Sequence, residues 1–371
     1  MRVGILTFHN TPNFGATLQC YALARAVAAA GHRVEIINYM PPHNMAQYVK
    51  ALFLGRRRSL KNVARIRAFR RFVSDELTMS GGPIFQRSGL KALSRRYDLA
   101  FTGSDEVWKV DHMRRLDGSF YLDFCDPGTT RIASYAASAS TVTDLRMYAA
   151  EVTPLLERFD AIAVRDPSTG AMVQDLIGRA PVEVVDPTLI WDFTGEDLPP
   201  LRDKPYLALY AWLDAARFRP VRAFADRHGL QIVSIGAHNP GADANLIGIG
   251  PREWLRLMRH SSAVVTDFFH GVAFALIFER PFYAFVDAAK RMKLQHILDI
   301  AGSPHPLNDT TDRLADLSLQ DLGVDWEAVR AALAPRRAAS RDYVAAQLAA
   351  AGMKTKPGND ASAQEVRRQP A

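Results

Sequence analysis

Four segments of the chain place polar or charged residues directly after short apolar runs. They begin at His9, Thr102, Arg165 and Thr266, and the runs before them have the length of buried strands. In open parallel sheets, ligands bind at the carboxyl ends of the strands. Side chains from these segments are therefore expected to meet at such an edge.

The segment at Arg165 supplies a fixed cation. Arg165 ends an apolar run, and Pro167 stands where a helix would begin. A guanidinium in this position can bind a phosphate or a carboxylate through two hydrogen bonds. A structural salt bridge with Asp166 or Asp186 is the alternative. The position at a strand end favours anion binding.

The segment at Thr266 supplies a titratable group. His270 stands at the start of an apolar helix, beside Gly271. Histidine can carry a proton near neutral pH and can also bind an anion, although a lone histidine is more often structural. Three basic residues follow the next predicted strand and could reach the same cleft: Lys290, Arg291 and Lys293. Of these, Lys290 is the preferred substrate-binding residue.

The loop from His9 to Ala16 lies between the first predicted strand and the first helix. Asn13 is a turn former, and the small Gly15 would let a ligand approach the helix N-terminus, which favours anions. The loop lacks the GxGxxG pattern of dinucleotide sites. A plain strand-to-helix turn explains it equally well.

The segment at Thr102 carries groups that suit a sugar. Ser104 and Asp105 could hydrogen-bond to hydroxyls, and Trp108 could stack on a pyranose face. The alternative is a helix capped by Ser104 or Asp105, with Trp108 in the core. The site interpretation is slightly favoured.

The elements that must position these residues follow an α/β pattern. Short apolar strands alternate with helices along the chain, which is typical of parallel sheets. The composition turns to Gly, Pro and Asp around Gly195–Lys204. We therefore predict two Rossmann-like domains, 1–195 and 196–350, that face each other across a cleft, and a disordered tail at 351–371. The long helix Trp326–Ala350 could cross back to the first domain.

The predicted strands and helices divide between the two domains. Strands of the first domain are expected at Val3–Phe8, Val34–Asn38, Leu99–Thr102, Arg131–Tyr135, Ala161–Val164 and Val182–Val185, and its helices at Thr17–Ala30, Leu145–Phe159 and Ser168–Ile177. In the second domain, strands are expected near Tyr206–Tyr210, Gln231–Ile235, Ala263–Thr266 and Phe282–Phe285.

The overall composition is that of a globular protein with a local excess of positive charge. Eight basic residues and no acidic ones lie between Arg56 and Arg71, and the rest of the chain has 38 basic against 39 acidic residues. Apolar residues recur every third position there, so 56–72 is predicted to be an amphipathic basic helix. It either packs on its domain as a solvated helix or faces an anionic membrane or glycan. Nucleic acid is disfavoured because no binding motif accompanies the charge.

The two cysteines, Cys20 and Cys125, are too few for a disulfide framework and lie in no metal-binding pattern. The N-terminus lacks the features of a secretory signal, and no apolar run approaches the ~20 residues that span a bilayer. We therefore expect a cytoplasmic protein, at most peripheral to the inner face of the membrane through 56–72, with no metal and no cofactor.

Taken in order, the segments resemble the polysaccharide pyruvyltransferase family. The resemblance covers residues 1 to about 290 and rests on an ordered set of short motifs: Asn13-Phe14-Gly15-Ala16 with Leu18-Gln19 and Tyr21-Ala22-Leu23, Gly103-Ser104-Asp105 with Val107-Trp108, Ser134-Tyr135-Ala136-Ala137-Ser138, Val164-Arg165, Asp186-Pro187-Thr188, and Thr266-Asp267 with Phe269-His270-Gly271.

The resemblance implies a glycosyltransferase-B-like fold and transfer of the pyruvyl group of phosphoenolpyruvate to a sugar. Phosphoenolpyruvate would bind to the second domain, and a saccharide or lipid-linked oligosaccharide acceptor to the first. The anion-binding arginine, the site histidine and a later basic residue of the family match Arg165, His270 and Lys290. The chain departs from the family at Phe268, where serine or arginine is frequent, and at Val272, where a small polar residue is frequent. These departures bear on acceptor choice.

Two other functions fit the same pattern. A nucleotide-sugar glycosyltransferase of the same architecture would bind a nucleoside diphosphate rather than phosphoenolpyruvate. A non-catalytic glycan- or anion-binding protein would bind its ligand without releasing phosphate.

Overall fold

The computed structural model describes residues 1–41, 60–110, 115–140, 144–286 and 290–353. It is an α/β protein with two parallel sheets, as the alternation of strands and helices predicts. The first part of the predicted basic helix, including Arg56, Arg57 and Arg58, lies outside the described residues, as does the segment 354–371.

The first sheet contains four parallel strands in the order β2-β1-β3-β4. These are β1 Arg2–Leu6, β2 Arg33–Ile36, β3 Leu99–Thr102 and β4 Arg131–Ser134. Single bridges continue the sheet towards a two-stranded parallel pair, β5 Ala163–Val164 with β6 Val182–Glu183. All six strands overlap predicted segments, although β1 and β2 begin one residue earlier than predicted and several strands end earlier.

The helices of the first part of the chain begin where the sequence offers a cap. Asn13 accepts a hydrogen bond from the amide of Ala16, so α1 begins at Phe14 and not at Thr17 as predicted. Asp166 caps a later helix in the same way. The longer helices are α1 Phe14–Ala29, α2 Leu60–Glu76, α4 Ala149–Glu157 and α5 Pro167–Ile177, with the single turns α3 Arg87–Leu90 and α6 Pro187–Ile190.

The second sheet contains five parallel strands in the order β11-β10-β7-β8-β9. They are β7 Tyr206–Tyr210, β8 Gln231–Ile235, β9 Ala244–Leu246, β10 Ala263–Thr266 and β11 Phe282–Ala284, with helices α7 Ala215–Arg227, α8 Pro251–Arg259, α9 Phe269–Ile277 and α10 Arg291–Ile300. Strand β9 was not predicted, because its residues Ala244-Asn245-Leu246 are only partly buried and form no apolar run.

The last helix, α11 (Trp326–Met353), returns to the first sheet. The hydroxyl of Tyr343 donates to the carbonyl of Ser134 at 2.9 Å, and Arg131 donates to Oε1 of Gln347 at 2.7 Å. Helix α11, which was predicted to belong to the domain 196–350, therefore packs on the sheet of the first domain. The last three residues of the helix, 351–353, belong to the segment predicted to be a disordered tail. Ala351 is buried, which explains why the helix continues.

The two sheets share one apolar core around the start of α1. The ring of Phe14 stacks on Trp254 with centroids 5.5 Å apart and meets the edge of Tyr210 at 6.0 Å. Phe69 of α2 packs on Phe14 from another side at 5.0 Å. Aromatic pairs of this kind add to the stabilisation from burial. The relative position of the two domains is thus fixed by packing at the base of the cleft.

Helix α2 is the described part of the predicted basic helix, and it lies between the domains. Arg65 donates to the carbonyl of Pro12 at 2.6 Å and to that of Gly236 at 2.9 Å. Phe69 and Phe72 are buried, as the apolar spacing predicts, whereas Leu60 is 87% exposed. The helix therefore packs on the protein through Arg65, Phe69 and Phe72, whereas its first residue, Leu60, is exposed.

The aromatic packing between the domains can be tested with Trp254, which is fully buried. Trp254→Ala should lower the free energy of unfolding by about 3–5 kcal/mol, because it leaves a large cavity. Urea denaturation followed by circular dichroism measures this loss. The matched control is Trp212→Ala, since Trp212 is 66% exposed and its removal should change stability by less than about 0.5 kcal/mol. Equal losses in both variants would contradict the packing argument.

Candidate functional site

His270 lies in the first turn of α9, at the carboxyl edge of the second sheet. Strand β10 ends at Thr266, whose hydroxyl accepts from the amide of Phe268 at 3.1 Å and donates to the carbonyl of Tyr210 at 2.8 Å. The residue after His270 must be glycine, because a Cβ at Gly271 would lie 2.1 Å from the Thr266 hydroxyl. The tight turn fixes the backbone that carries His270.

The first domain meets His270 through the start of α1. A Cβ atom at Gly15 would lie 2.0 Å from Nδ1 of His270, so only glycine leaves room for the ring there. The side chain of His270 is 13% exposed. The structure therefore brings the loop containing Asn13 and Gly15 to the predicted histidine, with Asn13 acting as the helix cap and exposed to solvent.

Asp186 joins the two predicted catalytic residues. Its Oδ2 atom accepts from Nη1 of Arg165 at 2.7 Å and lies 3.7 Å from Nε2 of His270. Its Oδ1 atom accepts from the amide and the hydroxyl of Thr188, at 3.0 and 2.8 Å. The carboxylate is completely buried. Arg165 and His270, from different domains, thus converge on one oxygen atom.

The electrostatics of this cluster favour the ionised carboxylate. Burial acts to raise the pKa of Asp186, but the charges of His270 and Arg165 outweigh it and hold the pKa well below its usual range. Burial also acts to lower the pKa of Arg165, yet Asp186 and Asp105 raise it overall. The pair is therefore charged at neutral pH. Nε2 of His270 is buried and has no hydrogen-bond partner among the described residues.

Arg165 is held from two sides. Its guanidinium lies 4.9 Å from the ring centroid of Phe269, the residue before His270, and its side chain is 6% exposed. The salt bridge with Asp186, which was the structural alternative for Arg165, is thus present. It also places the guanidinium against the turn that carries the histidine.

The residues of the segment that begins at Thr102 lie in different environments in the structure. Asp105 has a positive φ of 73° and lies close enough to Arg165 to raise its pKa. Ser104 is buried, and its hydroxyl has no hydrogen-bond partner among the described residues. No helix begins at either residue in the described segment 103–110. Asp105 therefore belongs to the edge of the cluster.

The prediction that Trp108 stacks on a sugar is wrong. Trp108 is 1% exposed and stacks on Tyr121, with ring centroids 5.5 Å apart. Its indole nitrogen donates to the carbonyl of Phe120 at 3.2 Å. The tryptophan is part of the core of the first domain, as the alternative interpretation proposed.

The two lysines and the arginine predicted to reach the cleft after β11 have different partners in the structure. Lys290 donates to Oδ2 of Asp267 at 2.9 Å and lies 5.0 Å above the ring of Phe268, at the same edge as His270. Lys293 donates to Glu106 across the cleft. Arg291 instead pairs with Asp309 and the carbonyl of Leu307. Arg291 is thus bound within its own domain, away from the predicted role.

The role of Asp186 was missed by sequence reasoning, although the residue was noted as a possible partner of Arg165. An aspartate followed by proline and threonine is typical of a helix cap, and Asp186 does cap α6. Only one of its oxygens serves the cap. The sequence signal for its contact with Arg165 and His270 was the resemblance of Asp186-Pro187-Thr188 to the family motif.

Two kinds of site were also sought along the described chain. No group of three or more His, Cys, Asp or Glu side chains that could hold a metal ion occurs among the described residues. None of the described helices combines the length and the hydropathy needed to cross a bilayer.

The fold class is a glycosyltransferase-B-like arrangement of two Rossmann-like domains. A solved structure described as a UDP-N-acetylglucosamine 2-epimerase from Listeria monocytogenes is similar, with a TM-score of 0.55, 12% identity, and coverage of 96% of this chain and 98% of that chain. The Anabaena protein HepE, solved with UDP and glucose, gives a TM-score of 0.53 at 11% identity, covering 94% and 99%. At such identities the similarity concerns the fold alone.

Residues 13–287 match the family described as polysaccharide pyruvyl transferase, a span of well over half the chain, and the chain belongs to this family. Membership identifies it as a transferase of polysaccharide biosynthesis. Among proteins of curated function, no match to the chain was found.

The charge of Asp186 can be tested with Asp186→Asn, which keeps the shape but leaves Arg165 buried without its counter-charge. Loss of one partner of a buried pair costs about 3–5 kcal/mol. Because folding depresses the pKa of Asp186, its contribution is present above about pH 4 and is lost as the pH falls further. The difference from wild type in urea denaturation should therefore be large at pH 7 and shrink below about pH 4. Asp144→Asn, in an exposed pair with Arg146, is the control and should change little at either pH.

The close contact between Gly15 and His270 predicts the sign of a stability change. In an unobstructed helix, Gly→Ala stabilises by up to about 1 kcal/mol. Gly15→Ala should instead destabilise by about 1–3 kcal/mol, because the added methyl group overlaps the imidazole. Thermal unfolding measures the sign, and Gly170→Ala in helix α5, where the added Cβ would lie 3.6 Å from its nearest neighbour, is the control and should not destabilise. A stabilised Gly15→Ala variant would refute this contact.

Proposed function

We propose that the protein transfers the pyruvyl group of phosphoenolpyruvate to two hydroxyls of a saccharide, forming a cyclic ketal. One observation carries the proposal: Arg165 and His270 come from different domains and meet at one oxygen of Asp186. This places a fixed cation and a titratable group at the carboxyl edges of both sheets, where open α/β folds bind ligands. Family membership supports the same reaction class.

The charges around the cluster suit a ligand with a phosphate and a carboxylate. Helix α9 begins at this edge without a side-chain cap, so its first amides are available to an anion. Lys290 lies at the same edge, 44% exposed. Together with Arg165 and a protonated His270, these donors would bind the two anionic groups of phosphoenolpyruvate and stabilise charge as it develops. This anion is proposed to bind to the second domain.

The proposed reaction needs no external proton or redox partner. The methylene carbon of phosphoenolpyruvate takes up one proton and becomes a methyl group, which leaves an oxocarbenium centre at the neighbouring carbon. A sugar hydroxyl adds to that carbon, the bond to the phosphate oxygen breaks, and a second hydroxyl closes the ring. The two hydroxyls release two protons. One balances the proton that the methylene carbon took up, and the other leaves with phosphate. His270 is the proposed proton carrier.

The acceptor is proposed to enter from the first domain. Asp105 borders the cluster there and could orient a hydroxyl. Helix α2 presents Arg67, Arg70 and Arg71 to solvent together with the exposed Leu60. This combination suits a peripheral contact with an anionic membrane, and it would bring a lipid-linked acceptor to the cleft.

The role of His270 is tested by His270→Ala, which should abolish phosphate release from phosphoenolpyruvate in the presence of candidate glycans. The fold should be retained, as judged by circular dichroism. His32→Ala is the matched control and should keep wild-type turnover, because His32 precedes β2 at the opposite edge of the first sheet. Near-normal turnover in His270→Ala would reject the assignment.

Calorimetry separates the proposed reaction from its rivals. Wild-type protein should bind phosphoenolpyruvate, and Arg165→Ala should weaken this binding by at least tenfold. Binding of UDP without binding of phosphoenolpyruvate would instead indicate a nucleotide-sugar glycosyltransferase. Binding of phosphoenolpyruvate and glycan without phosphate release would indicate a non-catalytic binding protein.

A further inference from the structure

An exposed tryptophan stands at the carboxyl edge of the second sheet. Trp212 follows the end of β7 by two residues, and 66% of it is exposed. Strand β7 pairs with β10, whose end carries the turn to His270. A tryptophan exposed at such an edge offers a large flat contact area to a ligand, since burial of an aromatic ring is favourable.

The backbone on both sides of Trp212 is fixed by one buried side chain. The amide group of Asn239 donates to the carbonyl of Ala211 at 3.0 Å and accepts from the amide of Leu213 at 3.0 Å. Asn239 is fully buried and also donates to the hydroxyl of Ser234 at 2.8 Å. The exposure of Trp212 is therefore imposed by an ordered loop, and the ring is held ready for a partner.

Trp212 continues a row of aromatic rings. It meets Phe268 edge to face, with centroids 5.7 Å apart, and Phe268 packs on Tyr210 at 4.6 Å. Phe268 directly precedes α9 and lies two residues before His270. A polar rim borders the rings, because the Lys290 ammonium lies 5.0 Å above Phe268 and binds Asp267.

The exposed flat face of the Trp212 indole, with Lys290 and Asp267 beside the neighbouring Phe268, is complementary to a sugar ring. One face of a pyranose carries C–H groups, which pack on the negative face of an aromatic ring. Its hydroxyls lie around the edge, where a carboxylate can accept and an ammonium can donate. We propose that the exposed face of the Trp212 indole stacks on a pyranose ring of an acceptor that enters from the first domain and reaches across the cleft, with Phe268 supporting the indole edge to face. The identification of this sugar as the acceptor rests on the proposed function. Sugar binding itself can be measured independently of the reaction.

The surface also gives a reason for the residue at position 268. Serine or arginine at this position would not continue the aromatic row from Tyr210 to Trp212. Phenylalanine extends it and supports the indole from one side. Phe268 thus adds apolar contact area beside Trp212.

The test uses saturation-transfer NMR on the full chain with methyl β-glucopyranoside, methyl β-galactopyranoside and methyl α-mannopyranoside as probes. Wild type should transfer saturation to the ring C–H protons of at least one probe. Trp212→Ala should weaken binding of that probe by about tenfold, whereas Trp212→Phe should retain most of it. Met147→Ala, at an exposed position of the first domain, is the control and should bind like wild type.

Three outcomes would overturn the stacking surface. One is unchanged sugar binding in Trp212→Ala, and another is the absence of any transfer to the three probes in wild type. A loss of UDP binding in Trp212→Ala, with sugar binding intact, would assign the ring to a nucleobase and also refute the proposal. Calorimetry with phosphoenolpyruvate separates this test from the proposed function: Trp212→Ala should bind it like wild type, and a wild type that binds sugar but not phosphoenolpyruvate would refute only the reaction.

Discussion

The carboxylate of Asp186 is the interaction on which the site and the meeting of the two domains both depend. A buried charge is costly unless every oxygen is satisfied. Here Thr188 satisfies one oxygen, while Arg165 and His270 approach the other. Because His270 belongs to the second domain, any opening of the cleft at this point would leave a buried charge less well compensated. Domain position and site electrostatics are therefore parts of one arrangement.

The cations at the cleft are paired with carboxylates. Lys290 binds Asp267 and Lys293 binds Glu106 in the same manner as Arg165 binds Asp186. Such pairing holds the side chains in place before a ligand arrives, but it also lowers the net positive charge. A multiply charged anion would need additional donors, which the uncapped start of α9 and protonation of His270 can provide.

The fold was largely predictable because strands buried in parallel sheets are short apolar runs that stand out from their flanks. The residues that follow them, Arg165 and His270 above all, could be found for the same reason. Other features depend on distant contacts. Trp108 follows a polar turn that looks the same whether the ring faces solvent or, as here, stacks on Tyr121. The return of α11 to the first sheet needs Tyr343 to find Ser134, over two hundred positions earlier, and no local pattern encodes that.

Trp108 and Trp212 show how local hydrogen bonds decide whether a tryptophan that follows a strand is buried or exposed. Both tryptophans follow strands, but the indole of Trp108 finds a carbonyl acceptor and an aromatic partner inside its own domain. Trp212 is kept outside by the hydrogen bonds of Asn239 to the residues on either side. The residues near it can change without touching Asp186, because Phe268 contacts the aromatic row while the histidine two positions later contacts the carboxylate. A change at position 268 would thus alter the aromatic row while leaving the contact between His270 and Asp186 in place.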